Sequence, residues 1–271
     1  MTPESRPVPT IARVFDEGAT AYAEFWAPAL HRHALTLLAA VPPSADPRTV
    51  VDVAAGAGTL LPALRAVAGE GGRLVALDYS AGMLALADPT VPRVQADAAA
   101  LPLASEVADV AVYAFVLFML PDARGAVAEA ARVTRPGGQL LVATWGTQLD
   151  TAADAVVREE IDAAGAAPFP ALARSDELTD TPDRVRSLLE PAGFVDVTTT
   201  MQPLEAVFDA ASALEMGTGF GTMGWRFRRL SPDLQRQVTK RAADRLAVLA
   251  PDDFVDRSEV LLTTARRSPS G

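Results

Sequence analysis

The sequence predicts an α/β fold: a doubly wound, parallel sheet covered by helices on both faces. Three observations point to it. Short β-branched and apolar runs alternate with helical segments between Thr49 and Thr144. A glycine-rich turn carrying Gly56 and Gly58 joins the first run to the next helix. The chain, at 271 residues, exceeds what a compact nucleotide-binding core needs. Strand–helix alternation builds a sheet buried on both faces, and the surplus length is available for insertions.

The elements follow in order. Met1 to Pro9 is polar and proline-rich, with no apolar stretch of the kind a secretory leader carries. Ile11 to Val41 reads as helix, interrupted at Pro28, where a new first turn tolerates proline. In its second half Leu30, Ala34, Leu37, Leu38 and Val41 share one face. Pro42 to Pro47 is a turn-rich linker. Thr49 to Val53 is a strand, Leu60 to Ala68 a helix, and Arg73 to Leu77 a strand ending at Asp78. Ser80 caps a helix through Met83 to Ala87. Arg93 to Gln95 and Asp109 to Ala114 are strands; Asp122 to Thr134 is a helix stopped by Pro136-Gly137-Gly138. Gln139 to Thr144 is a fifth strand. Beyond Trp145 come a helix at 152–164, a loop at 168–180, a helix at 183–189 and a strand through Thr200. A largely helical stretch from 204 to 250 has a glycine-rich break at Gly217–Gly224, and a last strand is expected at Glu259–Ala265 before a frayed tail from Arg266.

Composition narrows the chemistry. Hydrophobic residues are 49% and charged residues 21% of the chain, an ordinary globular balance. Without a cysteine, a disulfide framework, a thiolate nucleophile and a Cys-ligated metal are excluded. The two histidines, His31 and His33, leave no basis for a His-rich metal site either. A formal charge of −10 repels phosphate backbones, so nucleic acid is not an expected partner. The longest apolar run, Val110 to Leu120, spans 11 residues between Asp109 and Asp122, too short for a bilayer; a cytoplasmic chain without a membrane partner is expected.

The segment V-D-V-A-A-G-A-G-T, residues 51–59, carries the chemistry. Its small residues let a ligand approach the backbone, and the helix that follows presents free N–H groups. Asp78 ends the next strand, where a carboxylate can accept from both hydroxyls of a ribose. Two ligands compete, a nicotinamide dinucleotide and S-adenosylmethionine. The dinucleotide fingerprint wants a third glycine where this chain has Leu61. Asp52 sets a carboxylate beside the turn, which repels a pyrophosphate and attracts an ammonium. These charges favour S-adenosylmethionine.

The order of segments resembles the class I S-adenosylmethionine-dependent methyltransferases, in particular quinone-biosynthesis C-methyltransferases and natural-product enzymes. The matching pieces are the 51–59 turn, V-A-L-D-Y-S-A-G-M-L at 75–84, Q-A-D-A-A-A-L-P-L at 95–103, A-R-V-T-R-P-G-G at 131–138 and P-A-G-F at 191–194. The resemblance implies a seven-stranded, mostly parallel, Rossmann-like sheet with helical cap and lid insertions. It implies that Asp52 lies near the methionine amino group and that Ala54, Gly56 and Gly58 form the turn under the cofactor. Asp78 would hold the ribose, with Tyr79 and Met83 beside the adenosine. Asp97 and the Ala98 N–H would address adenine, and Ala114 and Phe115 the methionine portion. Ala54 stands where many members carry glycine, and Phe118 where relatives often carry histidine.

The surplus then divides into an N-terminal helical cap, 1–44, and a methyltransferase domain, 45–271, with helical insertions at 147–180 and 204–254. The expected activity is methyl transfer to oxygen or carbon of a small aromatic or apolar metabolite, as in specialised metabolism. A non-methylating cyclase on the same fold is the alternative, because an evident base is lacking. Tyr22, His31 and His33 are the catalytic candidates, although residues two apart on a helix diverge. Trp26, Trp145, Trp225 and Arg226 are candidates for the acceptor side. The glycines near Trp225 would allow a lid to move. The expected partner is a small-molecule acceptor, and a homodimer is compatible with this reading.

Overall fold

The apolar runs are strands in the computed structural model, which describes residues 10–42, 44–170 and 174–269. In chain order they are β1 (Thr49–Val53), β2 (Arg73–Asp78), β3 (Arg93–Gln95), β4 (Ala108–Ala114), β5 (Thr134–Trp145), β6 (Phe194–Val207) and β7 (Val255–Arg267). They form one seven-stranded sheet in the order β3-β2-β1-β4-β5-β7-β6. The pairs among β1 to β5 are parallel, and β7 runs antiparallel to both its neighbours. The order reverses between β1 and β4, the point at which such sheets open a crevice at their carboxyl ends.

The helices are α1 (Thr10–Ala21), α2 (Ala27–Leu38), α3 (Leu61–Ala68), α4 (Ala81–Leu86), α5 (Ala123–Val133), α6 (Ala152–Ala163), α7 (Pro182–Leu189), α8 (Ala210–Gly219), α9 (Gly221–Phe227) and α10 (Pro232–Leu246). Alternation along each strand sends neighbouring residues to opposite faces. Val50, Val110 and Leu141 therefore pack with Leu30, Leu37 and Leu64 of α2 and α3 on one face. Val51, Ala111 and Leu140 pack with Val127 of α5 and Leu189 of α7 on the other. A third cluster joins Val157 and Ile161 of α6 to Ala213 of α8 and Val238 of α10. Among the described residues no helix is long and apolar enough to cross a membrane.

Four expectations change. The cap placed over 1–44 divides: residues 1–9 and 43 lie outside the described residues, α1 covers the crevice, and α2 is a layer helix whose apolar stripe is buried on the sheet. A new helix, α2, does begin with Pro28 in its first turn, but a π-helical stretch, Tyr22–Trp26, leads into it where an interruption was expected. The insertion placed at 204–254 starts after Val207, because β6 goes on pairing with β7 up to Val207 opposite Val255. Arg266 and Arg267 are paired strand residues, and Arg267 also donates to the carbonyls of Ala131 and Gly193. Residues 171–173 and 270–271 lie outside the described residues.

Candidate functional site

β1 ends at Val53, and the chain turns through Ala54, Gly56 and Gly58 with φ of +58°, +57° and +77°. Ala54 thus takes the left-handed conformation without glycine's freedom, at a cost of about 1–2 kcal/mol. Gly56 and Gly58 do different work. A Cβ on Gly58 would stand 2.7 Å from Leu61 Cδ1 and 2.8 Å from Ala87 Cβ, so this glycine lets α3 and α4 close on the turn. A Cβ on Gly56 would meet only the Tyr22 ring, at 3.9 Å, and project into open space. Phe115, at the end of β4, also has a positive φ of +58°. Strained backbone of this kind persists where the surroundings hold it, often at sites.

Two cavities open at the turn. The larger has about 900 Å³ of empty space, partly open to solvent, and is lined by Asp78, Tyr79, Met83, Asp97 and Ala98, with Ile11, Ala12 and Phe15 of α1 above them. Val116, Met119, Leu120 and Pro121 complete its apolar wall. The smaller, about 440 Å³, is lined by Asp52, Thr59, Leu60, Ala27, Leu30 and His31. Tyr22, Ala54, Gly56, Ala114 and Phe115 line both.

Carboxylates supply the formal charge of both linings. Asp78 accepts from the Gly56 N–H through Oδ2 and from the Ser80 N–H through Oδ1, both at 2.8 Å, and so ties the turn to the end of β2. Burial raises its pKa against those two hydrogen bonds, and the charge of Asp16 adds to the rise. Asp52 is buried in β1, and its Oδ2 has no hydrogen-bond partner. Burial, and then the charge of Asp78, push its pKa up to about 7. Burial and Asp78 also raise the pKa of Tyr22, which keeps its hydroxyl protonated. Neither cavity is lined by lysine or arginine among the described residues. Such an arrangement can receive hydroxyl donors and a cation, and it opposes an anion.

The structure brings together Tyr22, Ala54, Gly56, Asp78, Tyr79, Met83, Asp97, Ala98, Ala114 and Phe115 around the larger cavity, and Asp52 and His31 around the smaller. The other predicted residues lie elsewhere. Gly58 lines neither cavity and serves packing. His33 is buried and faces Gln202 of β6, with Nδ1 3.4 Å from Oε1, because its position on α2 points to the sheet. Trp26 and Trp145 stack on each other at 5.9 Å, Phe208 stacks on Trp26, and Phe115 and Phe118 pack against Trp145. This aromatic cluster fills the place expected for an open acceptor wall. Arg226 is held by Asp162 and the carbonyls of Ala166 and Ala167, and Trp225 packs between Phe169 and the Arg229 guanidinium. Both are engaged within the insertion and line neither cavity. The glycines nearby pack as well: Gly217 faces Val157 and Gly219 faces Ala21.

Ile11, Asp16 and Phe220 escaped sequence reading. Ile11 lines the larger cavity one helical turn before Phe15, a signal that was present but weak. Asp16 accepts from the Ser80 hydroxyl at 2.6 Å and the Gly82 N–H at 2.9 Å, fastening α1 to α4. Phe220 closes an aromatic trio with Phe15 and Tyr22, at 5.3 and 5.0 Å, from some 200 residues away in the chain.

A family model described as a methyltransferase domain matches residues 51–142, the span from β1 into β5. The chain is 33% identical over 183 residues to a demethylmenaquinone methyltransferase of Mycolicibacterium paratuberculosis, a match that covers 67% of this chain and 70% of that protein. Among solved structures it resembles the cyclase SpnF, with TM-score 0.58 and 17% identity over 96% of each chain. It also resembles phosphoethanolamine N-methyltransferase 2 of Haemonchus contortus in complex with S-adenosylhomocysteine, with TM-score 0.55 and 16% identity over 97% of this chain and 62% of that one. At those identities the structures speak for the fold alone. The sequence match, the seven-stranded sheet and the glycine turn over two carboxylates agree, and the chain belongs to the class I S-adenosylmethionine-dependent methyltransferase family.

Proposed function

We propose that this enzyme binds S-adenosylmethionine across the two cavities and methylates oxygen or carbon of a small, uncharged aromatic or apolar acceptor. One observation carries the cofactor reading. The buried Asp52 has an unpartnered carboxylate oxygen beside the glycine turn, next to a cavity in which Asp78 presents a second carboxylate. A buried carboxylate without a partner is costly unless a ligand satisfies it. S-adenosylmethionine fits this donor and acceptor set, because it brings a ribose diol and an ammonium and has no phosphate.

When bound, the cofactor supplies a methyl group on a sulfonium for direct displacement. The chain's residues bind and orient. Asp78, held by Gly56 and Ser80, is placed to accept from the ribose, and Asp97, Ala98, Tyr79 and Met83 line the adenosine end. Phe15 and Tyr22 line the larger cavity, and Phe220 packs against both and braces them. Tyr22, with its pKa raised, positions and donates rather than taking a proton. Positioning supplies much of the acceleration in such a displacement.

The acceptor class follows from the walls. Apolar side chains dominate, and no arginine or lysine among the described residues is present to receive a carboxylate or phosphate. The name of the mycobacterial relative supports a quinol-type aromatic acceptor. A cytoplasmic setting and a homodimer fit this reading. Incubation with methyl-labelled S-adenosylmethionine and a panel of hydroquinones and phenols tests it: label should move to the acceptor, and release S-adenosylhomocysteine in equal amount. A cyclase is the second reading, favoured by the raised pKa of Tyr22, which leaves no ready base where the cavities meet. Turnover of an acceptor with all label retained on the cofactor would establish that reading instead.

A further inference from the structure

We infer that His31 of α2 takes the carboxylate of the cofactor's amino-acid head in the smaller cavity, beside the ammonium that the reading above assigns to Asp52 of β1. The inference rests on the cofactor reading above and assigns His31 to binding, not to proton abstraction.

The two residues line one cavity, and each leaves a buried polar atom without a hydrogen-bond partner: Asp52 Oδ2 and His31 Nδ1. An apolar ligand would leave both unsatisfied. A simple cation would satisfy the aspartate alone. A zwitterion satisfies both, since the imidazole can donate from Nδ1 while the carboxylate of Asp52 accepts. The walls supply no competing cation, because the described lining contains neither arginine nor lysine. The larger cavity carries Asp78 and Asp97 at the adenosine end, and Tyr22, Ala54, Gly56, Ala114 and Phe115 mark the junction. A ligand that spans both cavities through that junction presents one end to residues that line the smaller cavity only, Asp52 and His31 among them. His31 lines the smaller cavity only, so it faces this far end and not the junction where the sulfur would lie. His33 cannot substitute, since it is turned to Gln202.

Isothermal titration with three probes tests the assignment. They are S-adenosylhomocysteine, its decarboxylated analogue, which keeps the amine, and methylthioadenosine, which lacks the whole head. The wild type should bind S-adenosylhomocysteine at least about tenfold more tightly than the decarboxylated analogue, a comparison that needs no variant. His31→Gln should lose about tenfold for S-adenosylhomocysteine and leave the decarboxylated analogue unchanged. Asp52→Asn should weaken both and leave methylthioadenosine nearly unchanged. Equal affinity of the wild type for the first two probes overturns the role of His31, as does an equal loss of both in His31→Gln. If the wild type binds none of the three, the cofactor reading itself fails, which is a separate outcome.

Discussion

At the residue scale, the glycine turn and its two aspartates dominate the behaviour of the site. Asp78 stitches Gly56 to the end of β2 and faces the larger cavity, so Asp78→Ala should weaken S-adenosylhomocysteine by about 1–3 kcal/mol, read by titration calorimetry in a variant of unchanged circular dichroism. The two glycines should separate. Gly58→Ala forces a methyl group into Leu61 and Ala87 and should lower stability by about 2 kcal/mol or more in urea unfolding. Gly56→Ala bears only the cost of its φ and should fold, while losing affinity for the cofactor. Asp52 should make binding pH-dependent. With a pKa of about 7, the free protein holds it protonated at lower pH, whereas an ammonium ligand requires the carboxylate. Affinity should therefore fall as pH drops below about 7, approaching tenfold per pH unit, and Asp52→Asn should flatten the profile.

At the scale of elements, α1 is a cover packed on α4 and α9. Asp16 docks it on the start of α4 through Ser80 and Gly82, and Glu17 pairs with Arg228 and Arg229 at the end of α9. The Glu17 pairs are partly exposed and contribute little, whereas Asp16 accepts two hydrogen bonds at a sheltered junction. Asp16→Ala should speed release of S-adenosylhomocysteine several-fold in stopped-flow displacement and raise amide exchange in residues 11–21. An unchanged release rate would mean that the aromatic trio, not Asp16, holds the cover. The next helix behaves differently. α2 is anchored by Leu30, Leu37 and Leu38 in the main core, so exchange there should stay slow in the same variant.

At the scale of the whole molecule, the site lowers the stability of the ligand-free protein. Burial raises the pKa of Asp52 from the ordinary carboxylate range to about 7, so the folded form binds a proton that the unfolded form releases. This contribution is fully present below about pH 4 and is lost as pH rises through about 7. Wild type should therefore lose melting temperature relative to Asp52→Asn between about pH 4 and 7, and S-adenosylhomocysteine should close the gap. A constant difference between the two proteins across that range would contradict the raised pKa. Glu17 beside Arg229 and Glu129 beside Arg132 have lowered pKa values and act in the opposite direction, which is why the comparison is made between variants.

Much of this was legible in the chain because its signals are local. Strand alternation, the 51–59 turn and the aspartates ending or following β2 and β3 depend on spacing within one βα unit, and the sheet put them where the spacing implied. Helical geometry alone also required His31 and His33 to diverge. Which histidine meets the cavity was settled by the packing of α2, whose apolar stripe turns His33 to β6 and leaves His31 in the lining of the smaller cavity with Asp52. The same holds for the tryptophans. Trp26 and Trp145 find each other and Phe208 across three distant segments, and they form core where an acceptor wall was expected. The sequence by itself determined the fold, the family and the anionic floor of the site, because periodicity and short-range spacing encode them. Only the tertiary structure decided what covers that floor and which polar atoms are left free, because these depend on contacts between residues more than 200 positions apart, and a helix can bury only the face that its neighbours accept.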